Sequence, residues 1–200
     1  MTDFKIPIIM GSNKDLKHAN ALKEKIDSFA LAKQINLSVE IRVCSAHKHA
    51  MLLMHMLEKY EYDESVLCIV TIAGKSNALS ACVDGHTNHP VIAFPPVKYA
   101  NMVDIYSSIN MPSGVAPMLV LGAENVFLAI LKLLGLRNNY FKQFVREYQQ
   151  HNKNKLRIQD IVEKYKCLDI VPENRTECSG MRFVRKGKVR DIYKKTDSEE

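Results

Sequence analysis

Two hundred residues suffice for one domain with a sizeable core, or a domain and an appendage; no run reaches the roughly 18 apolar residues of a membrane span, and an N-terminus with Asp3 and Lys5 before a short apolar strand lacks a signal-peptide layout, so a cytoplasmic protein is expected. The net charge of +6 lies in the tail: residues 1–136 hold 12 Lys and Arg against 12 Asp and Glu, residues 137–200 hold 16 against 10, and without aromatic-basic interleaving nucleic-acid binding is not expected. Cys44, Cys68, Cys82, Cys167 and Cys178 are scattered, with no C-x-x-C pair, which argues for reduced thiols and against a disulfide framework or a zinc site.

The run Ile6-Pro7-Ile8-Ile9-Met10 reads as a strand ending in Gly11-Ser12-Asn13, after which Leu16, Ala19, Leu22, Ile26 and Phe29 repeat at helical spacing. Gly11 lets backbone N–H groups approach a ligand, Ser12 or Asn13 can cap the helix, and the helix start attracts an anion such as phosphate. Asp15, one turn in, can accept from sugar hydroxyls. The same stretch is equally compatible with a simple turn and cap, because it has neither the dinucleotide-binding nor the P-loop spacing.

Leu37, Val39, Ile41 and Val43 alternate as a second strand, which runs into Cys44-Ser45-Ala46-His47-Lys48-His49 and then a helical pattern of Met51, Leu52, Met54, His55 and Leu57. Loops at the carboxyl ends of parallel strands converge on one crevice. A histidine there is either an ordinary polar residue or an acid-base catalyst, since imidazole exchanges protons near neutral pH. The continuous apolar run Val66–Ala73 reads as a central strand covered on both faces, ending in Gly74-Lys75-Ser76-Asn77. His86 and His89 lack the carboxylate or thiol partners that would complete a metal set.

Pro90–Pro96 is a fourth strand stopped by two prolines, Val103–Ile109 a helix, Met111-Pro112-Ser113-Gly114-Val115 a loop and Ala116–Leu121 a fifth strand. A helix over Ala123–Leu136 closes at Gly135. Strands alternating with helices predict a parallel sheet with helices on both faces, hence an α/β domain over residues 1–136. Residues 137–166 form a helical extension, its stripe of Tyr140, Phe144, Tyr148, Ile158, Ile161, Val162 and Tyr165 free to pack on a neighbouring subunit or back on its own domain. Residues 167–200 are a linker and tail.

Met10-Gly11-Ser12 with Asp15, Ser45-Ala46-His47-Lys48, Ala73-Gly74-Lys75-Ser76-Asn77-Ala78-Leu79 and Met111-Pro112-Ser113-Gly114 occur in order, and together resemble the phosphoribosylaminoimidazole carboxylases of purine biosynthesis over residues 5–136. Lys48 after the histidine, and Gly-Lys-Ser-Asn at residues 74–77, resemble the class II enzymes, which use carbon dioxide directly; class I relatives rearrange an N-carboxylated nucleotide. The resemblance implies a flavodoxin-like three-layer αβα sandwich, a homo-octamer, and reversible conversion of aminoimidazole ribonucleotide (AIR) and CO2 to carboxyaminoimidazole ribonucleotide (CAIR) with no metal, ATP or other cofactor. It assigns Gly11, Ser12, Ser45 and Lys48 to the ribose phosphate, Asp15 to the ribose hydroxyls and His47 to proton transfer. Gly74, Lys75, Ser76 and Asn77 fall near the carboxylation centre, with Ser113 and Gly114 closing over the ring. The competing readings are the class I mutase and a silent nucleotide-binding scaffold.

The tail carries a second resemblance. Met181-Arg182-Phe183-Val184-Arg185-Lys186-Gly187-Lys188-Val189-Arg190-Asp191-Ile192-Tyr193 is similar to the opening hairpin of phosphoribosylaminoimidazole-succinocarboxamide (SAICAR) synthetase, the ATP-dependent enzyme of the next step. The chain is then the front of a bifunctional protein, or carries a remnant of one; a plain basic tail is the remaining alternative.

Overall fold

The computed structural model describes residues 3–96, 104–167, 181–186 and 191–195. They fall into two compact units, divided between Val145 and Arg146.

The first unit is built on five parallel strands, β1 (Phe4–Met10), β2 (Leu37–Val43), β3 (Ile69–Ile72), β4 (Val91–Ala93) and β5 (Met118–Leu119), in the order β2-β1-β3-β4-β5. The central strand is apolar on both sides because both sides are covered. Ile8 and Met10 enter a core beneath α1 (Leu16–Lys33) and α5 (Ala123–Arg137), where Ala19, Leu22 and Ile26 meet Val126, Ile130 and Leu134. Ile9, pointing the other way, enters a second core under α2 (Ala50–Glu61) and α3 (Ala78–Asp84), made with Leu53, Leu57, Leu79 and Val83. The result is the parallel sheet with helices on both faces that the alternation of elements predicts, and the three-layer, flavodoxin-like αβα sandwich that the resemblance implies.

Several boundaries differ from the sequence reading. The fifth strand shrinks from Ala116–Leu121 to two residues, and the fourth from Pro90–Pro96 to three. Pro117, Pro95 and Pro96 have no N–H to give a ladder, so pairing stops beside them. Val66 joins the sheet only as an isolated bridge to Lys5, three residues before β3 proper. In α2 the buried face is Leu53, Met56, Leu57 and Tyr60, while Met51 is 78% exposed. The fourth helix, α4, covers Tyr106–Ile109; Val103, the expected start, lies outside the described residues.

α1 closes on Gln34, whose φ of 52° is left-handed, with Ile35 N–H donating back to the Ala30 carbonyl at 2.9 Å. The last helix, α6 (Tyr140–Cys167), begins within the first unit. Phe141 and Phe144 are buried there, edge-on to Phe4 and Phe29 at centroid distances of 5.9 and 5.4 Å. The expected stripe is therefore only partly right, since Tyr140 is 51% exposed and Phe141 takes its place.

The second unit contains the rest of α6, where Leu156, Ile158, Ile161 and Tyr165 are exposed, and an antiparallel pair, β6 (Met181–Lys186) and β7 (Asp191–Lys195). The pairing runs from Met181 with Lys195 to Lys186 with Asp191, with an irregularity between Phe183 and Arg185. The expected linker at residues 168–180 and the turn at residues 187–190 lie outside the described residues.

Candidate functional site

The order β2-β1-β3 means that the chain leaves β1 in one direction to reach β2 and returns past it to reach β3. At such a reversal the following loops splay apart and leave a crevice beyond the carboxyl ends of the strands. A cleft of about 420 Å³ opens there, bounded by residues 11–15, 45–48 and 73–76.

The three loops are fastened to one another by their first residues. Cys44 N–H donates to the Met10 carbonyl at 2.8 Å, and Gly11 N–H to the Ile72 carbonyl at 2.9 Å. Gly11 also lies close to the third strand, where a Cβ would come within 3.4 Å of the Ala73 Cβ. In the first loop the Ser12 hydroxyl accepts from Lys14 N–H at 3.2 Å, capping a short 3₁₀ turn, Asn13–Asp15, that leads into α1. In the second, Lys48 and His49 N–H both return to the Ser45 carbonyl, at 3.2 and 2.9 Å. That tight turn leaves His47 and Lys48 exposed on the cleft while His49 Nδ1 accepts from Leu52 N–H at 3.2 Å and caps α2. The two neighbouring histidines thus divide the work: His49 starts a helix and His47 faces the cavity.

The third loop carries backbone strain. Lys75 has φ 58°, a left-handed conformation that L residues adopt at a cost. Its N–H donates to Asp104 Oδ2 at 3.0 Å, its carbonyl accepts from the Ser107 hydroxyl at 2.5 Å, and Asn77 N–H donates to that same hydroxyl oxygen at 3.0 Å. Asn77 itself turns inward: it is 3% exposed, its Nδ2 donates to Ser108 at 2.8 Å, and its Oδ1 caps α3 by accepting from Ser80 N–H at 3.2 Å.

The structure therefore brings together Gly11, Ser12, Asp15, Ser45, His47, Lys48, Gly74, Lys75 and Ser76. Asn77 supports the third loop from behind. Ser113 and Gly114 are exposed and do not line the cleft; a Cβ on Gly114 would meet nothing within 4 Å. Sequence reasoning missed Lys14, Pro96 and Asp104 as lining residues, while Ala46, Ala73 and Leu79 lie within the motifs but had no assigned role. Pro96 had a signal, because it ends the fourth strand; an isolated acid eight residues later had none.

The cleft favours an anion. Lys14, Lys48 and Lys75 face it against Asp15 and Asp104, and the amino ends of α1 and α2 lie at its rim. Burial pushes the Asp15 carboxyl above its ordinary value, against the opposing pull of His18 and of the Ser12 backbone. Among the described residues no cluster of three or more His, Cys, Asp or Glu could hold a metal ion, and no helix is long and apolar enough to cross a membrane.

Known proteins share this architecture. The phosphoribosylaminoimidazole carboxylase of Archaeoglobus fulgidus is 40% identical over 154 residues, covering 76% of this chain and 81% of that protein. A Drosophila melanogaster protein, described as a bifunctional phosphoribosylaminoimidazole carboxylase/phosphoribosylaminoimidazole succinocarboxamide synthetase, is 42% identical over 137 residues, 68% of this chain but only 30% of its own length. The crystal structure of Treponema denticola PurE superposes with a TM-score of 0.68 at 35% identity, covering 82% of this chain and 98% of that one. The family described as AIR carboxylase matches residues 5–155, and the chain belongs to it.

Proposed function

We propose that this chain is a carboxylase of purine biosynthesis that interconverts AIR and CO2 with CAIR, taking CO2 directly and without ATP, as a cytoplasmic homo-octamer. The observation that carries this is the meeting of His47 and Lys48 with Gly11, Ser12 and Asp15 and with Lys75 and Ser76 around one cationic cleft. The carboxylase names of its relatives, and Lys48 and Gly74-Lys75-Ser76-Asn77 in this sequence, favour direct use of CO2 over the mutase reaction.

The residue types suit the chemistry. The phosphate of the nucleotide is held by Ser12, Ser45, Lys48 and the N–H groups after Gly11, and Asp15 accepts from the ribose hydroxyls. The electron-rich ring carbon attacks CO2 and a carbon–carbon bond forms, leaving that carbon with both a hydrogen and a carboxylate. His47 removes the hydrogen as a proton, the C–H electron pair returns to the ring, and aromaticity is restored; AIR and CO2 have become CAIR and one proton. In reverse, the imidazolium returns the proton to the same carbon. Gly74, Lys75 and Ser76 border the position of the incoming CO2, where the Lys75 ammonium stabilises the new carboxylate. Ser113 and Gly114 do not line the cleft, and their place over the ring rests on the resemblance alone.

The antiparallel pair β6 and β7 is the start of a SAICAR synthetase domain, as the fused architecture of the animal relatives supports. Assay of the purified chain with AIR and bicarbonate, followed by ultraviolet absorbance, tests the main reading. Formation of CAIR without ATP is the expected result. Conversion of the N-carboxylated nucleotide alone would make it a mutase, and tight AIR binding without turnover a scaffold.

A further inference from the structure

We propose that Asp104 and Ser107, one helical turn apart beyond the fourth strand, are positioning residues that clamp the loop 74–77 so that Lys75 and Ser76 stand in the cleft; the proposal rests on the carboxylase reading for its catalytic consequence. The two residues grip opposite ends of one short segment. Asp104 Oδ2 takes the Lys75 N–H at 3.0 Å, and the Ser107 hydroxyl lies between the Lys75 carbonyl at 2.5 Å and the Asn77 N–H at 3.0 Å. The i, i+3 spacing puts both on the same side of the turn. Asp104 also packs against Gly74, where a Cβ would come within 3.7 Å of its Oδ2.

Lys75 needs such a grip. It occupies the left-handed region with φ 58°, in which a residue with a Cβ persists only when its surroundings over-determine it. No glycine relieves it, and the side chain itself is exposed. The restraint comes instead from a buried ladder behind the loop. Thr71 on β3 shares a hydrogen bond with Ser80 at 2.7 Å, Ser80 donates to Asn77 Oδ1 at 3.0 Å, and Asn77 Nδ2 donates to Ser108 at 2.8 Å. Thr71, Ser80, Asn77 and Ser108 are all at most 3% exposed. The ladder joins the sheet to α4 and fixes the height at which Ser107 meets the loop. The strain at Lys75 is thus held by the fold, and the backbone that presents Lys75 and Ser76 is set before substrate arrives.

A double-mutant cycle tests this. Ser107→Ala lowers kcat/KM about tenfold, mainly through kcat, when Lys75 is present, and by clearly less in a Lys75→Ala background, where only the placement of Ser76 is left to lose. The same tenfold loss in both backgrounds would mean that Ser107 does not act through Lys75. Ser107→Thr, which keeps the hydroxyl, restores activity. Asp104→Asn, which keeps an oxygen to accept the Lys75 N–H, leaves the peptide spanning residues 74–79 better protected from hydrogen exchange than Asp104→Ala does; equal exchange in the two variants would assign the effect to charge and overturn the clamp. Hydrogen exchange of the peptide spanning residues 74–79 gives a readout separate from turnover. It speeds up in Ser107→Ala while β1 is unchanged, and unaltered exchange would refute the clamp. Faster exchange in the variant of an enzyme whose wild type leaves AIR unconverted would uphold the clamp and refute the carboxylase reading.

Discussion

Replacing Lys75 separates backbone strain from side-chain chemistry. Lys75 and Gln34 are the non-glycine residues with positive φ among those described, at 58° and 52°. A left-handed L residue costs about 1–2 kcal/mol relative to the right-handed form, and glycine is free of that cost. Glycine also gives the unfolded chain more freedom, which returns about 0.5–1 kcal/mol. Lys75→Gly is therefore more stable than Lys75→Ala by about 0.5–1 kcal/mol, a melting difference of about 2 °C for a chain of this size. Both variants lack the ammonium, so both lose about 10- to 100-fold in kcat/KM, the worth of one charge-assisted contact in the transition state. Urea and thermal unfolding at a single protein concentration, with AIR carboxylation assayed on the same samples, read both quantities. If Lys75→Ala is as stable as Lys75→Gly, the backbone at residue 75 is not left-handed in solution. If either variant keeps full turnover, Lys75 has no part in the chemistry.

Asp63 offers a pH test of the fold: its pKa is held down at about 2, first by the Lys5 ammonium and then by Ser65. A depressed carboxyl contributes stability in full above its unfolded value of 3.8 and loses it as pH falls toward about 2. Asp63→Asn is then less stable than wild type at neutral pH by about 1 kcal/mol, the size of a partly exposed pair, and the gap closes in acid; a gap independent of pH contradicts this. Asp15 has the opposite sign, because burial raises its carboxyl, so the stability it adds in acid is lost as pH rises through the raised value. Asp15→Asn stabilises the free protein at neutral pH yet weakens AIR binding about tenfold, and an unchanged dissociation constant by calorimetry would remove Asp15 from the ribose site. Phe144, buried against Phe29 and Phe141, anchors the start of α6, and Phe144→Ala costs about 3 kcal/mol in urea unfolding, where a loss below about 1 kcal/mol would mean that this end of the helix is not packed.

The sequence made the sandwich legible wherever one physical signal dominated. The run Ile6 to Met10 reads as a strand ending at Gly11, and β1 ends at Met10. Ambiguity entered where two signals overlapped. Residues 51–60 hold enough Met and Leu to draw more than one helical stripe, and Tyr60, facing inward, settles which is buried. Asn77 sits in a loop of polar residues that face a cleft, but an asparagine immediately before a helix also caps it, and that local demand took its side chain away from solvent. His47 already had the stronger claim in the sequence, and the cap gives His49 a separate role at the start of α2. Asp104 was illegible because its role comes from a loop 29 residues earlier in the chain.

On the proposed mechanism, His47 moves the proton on a nucleotide held by the surrounding loops. His47→Asn, assayed with AIR and bicarbonate and titrated with AIR in a calorimeter, tests it directly. Turnover is expected to fall by about 100-fold or more while AIR still binds with its affinity little changed. Turnover within a few-fold of wild type would place the acid-base group elsewhere, and the assignment of this cleft as a His47-driven carboxylase site would fail.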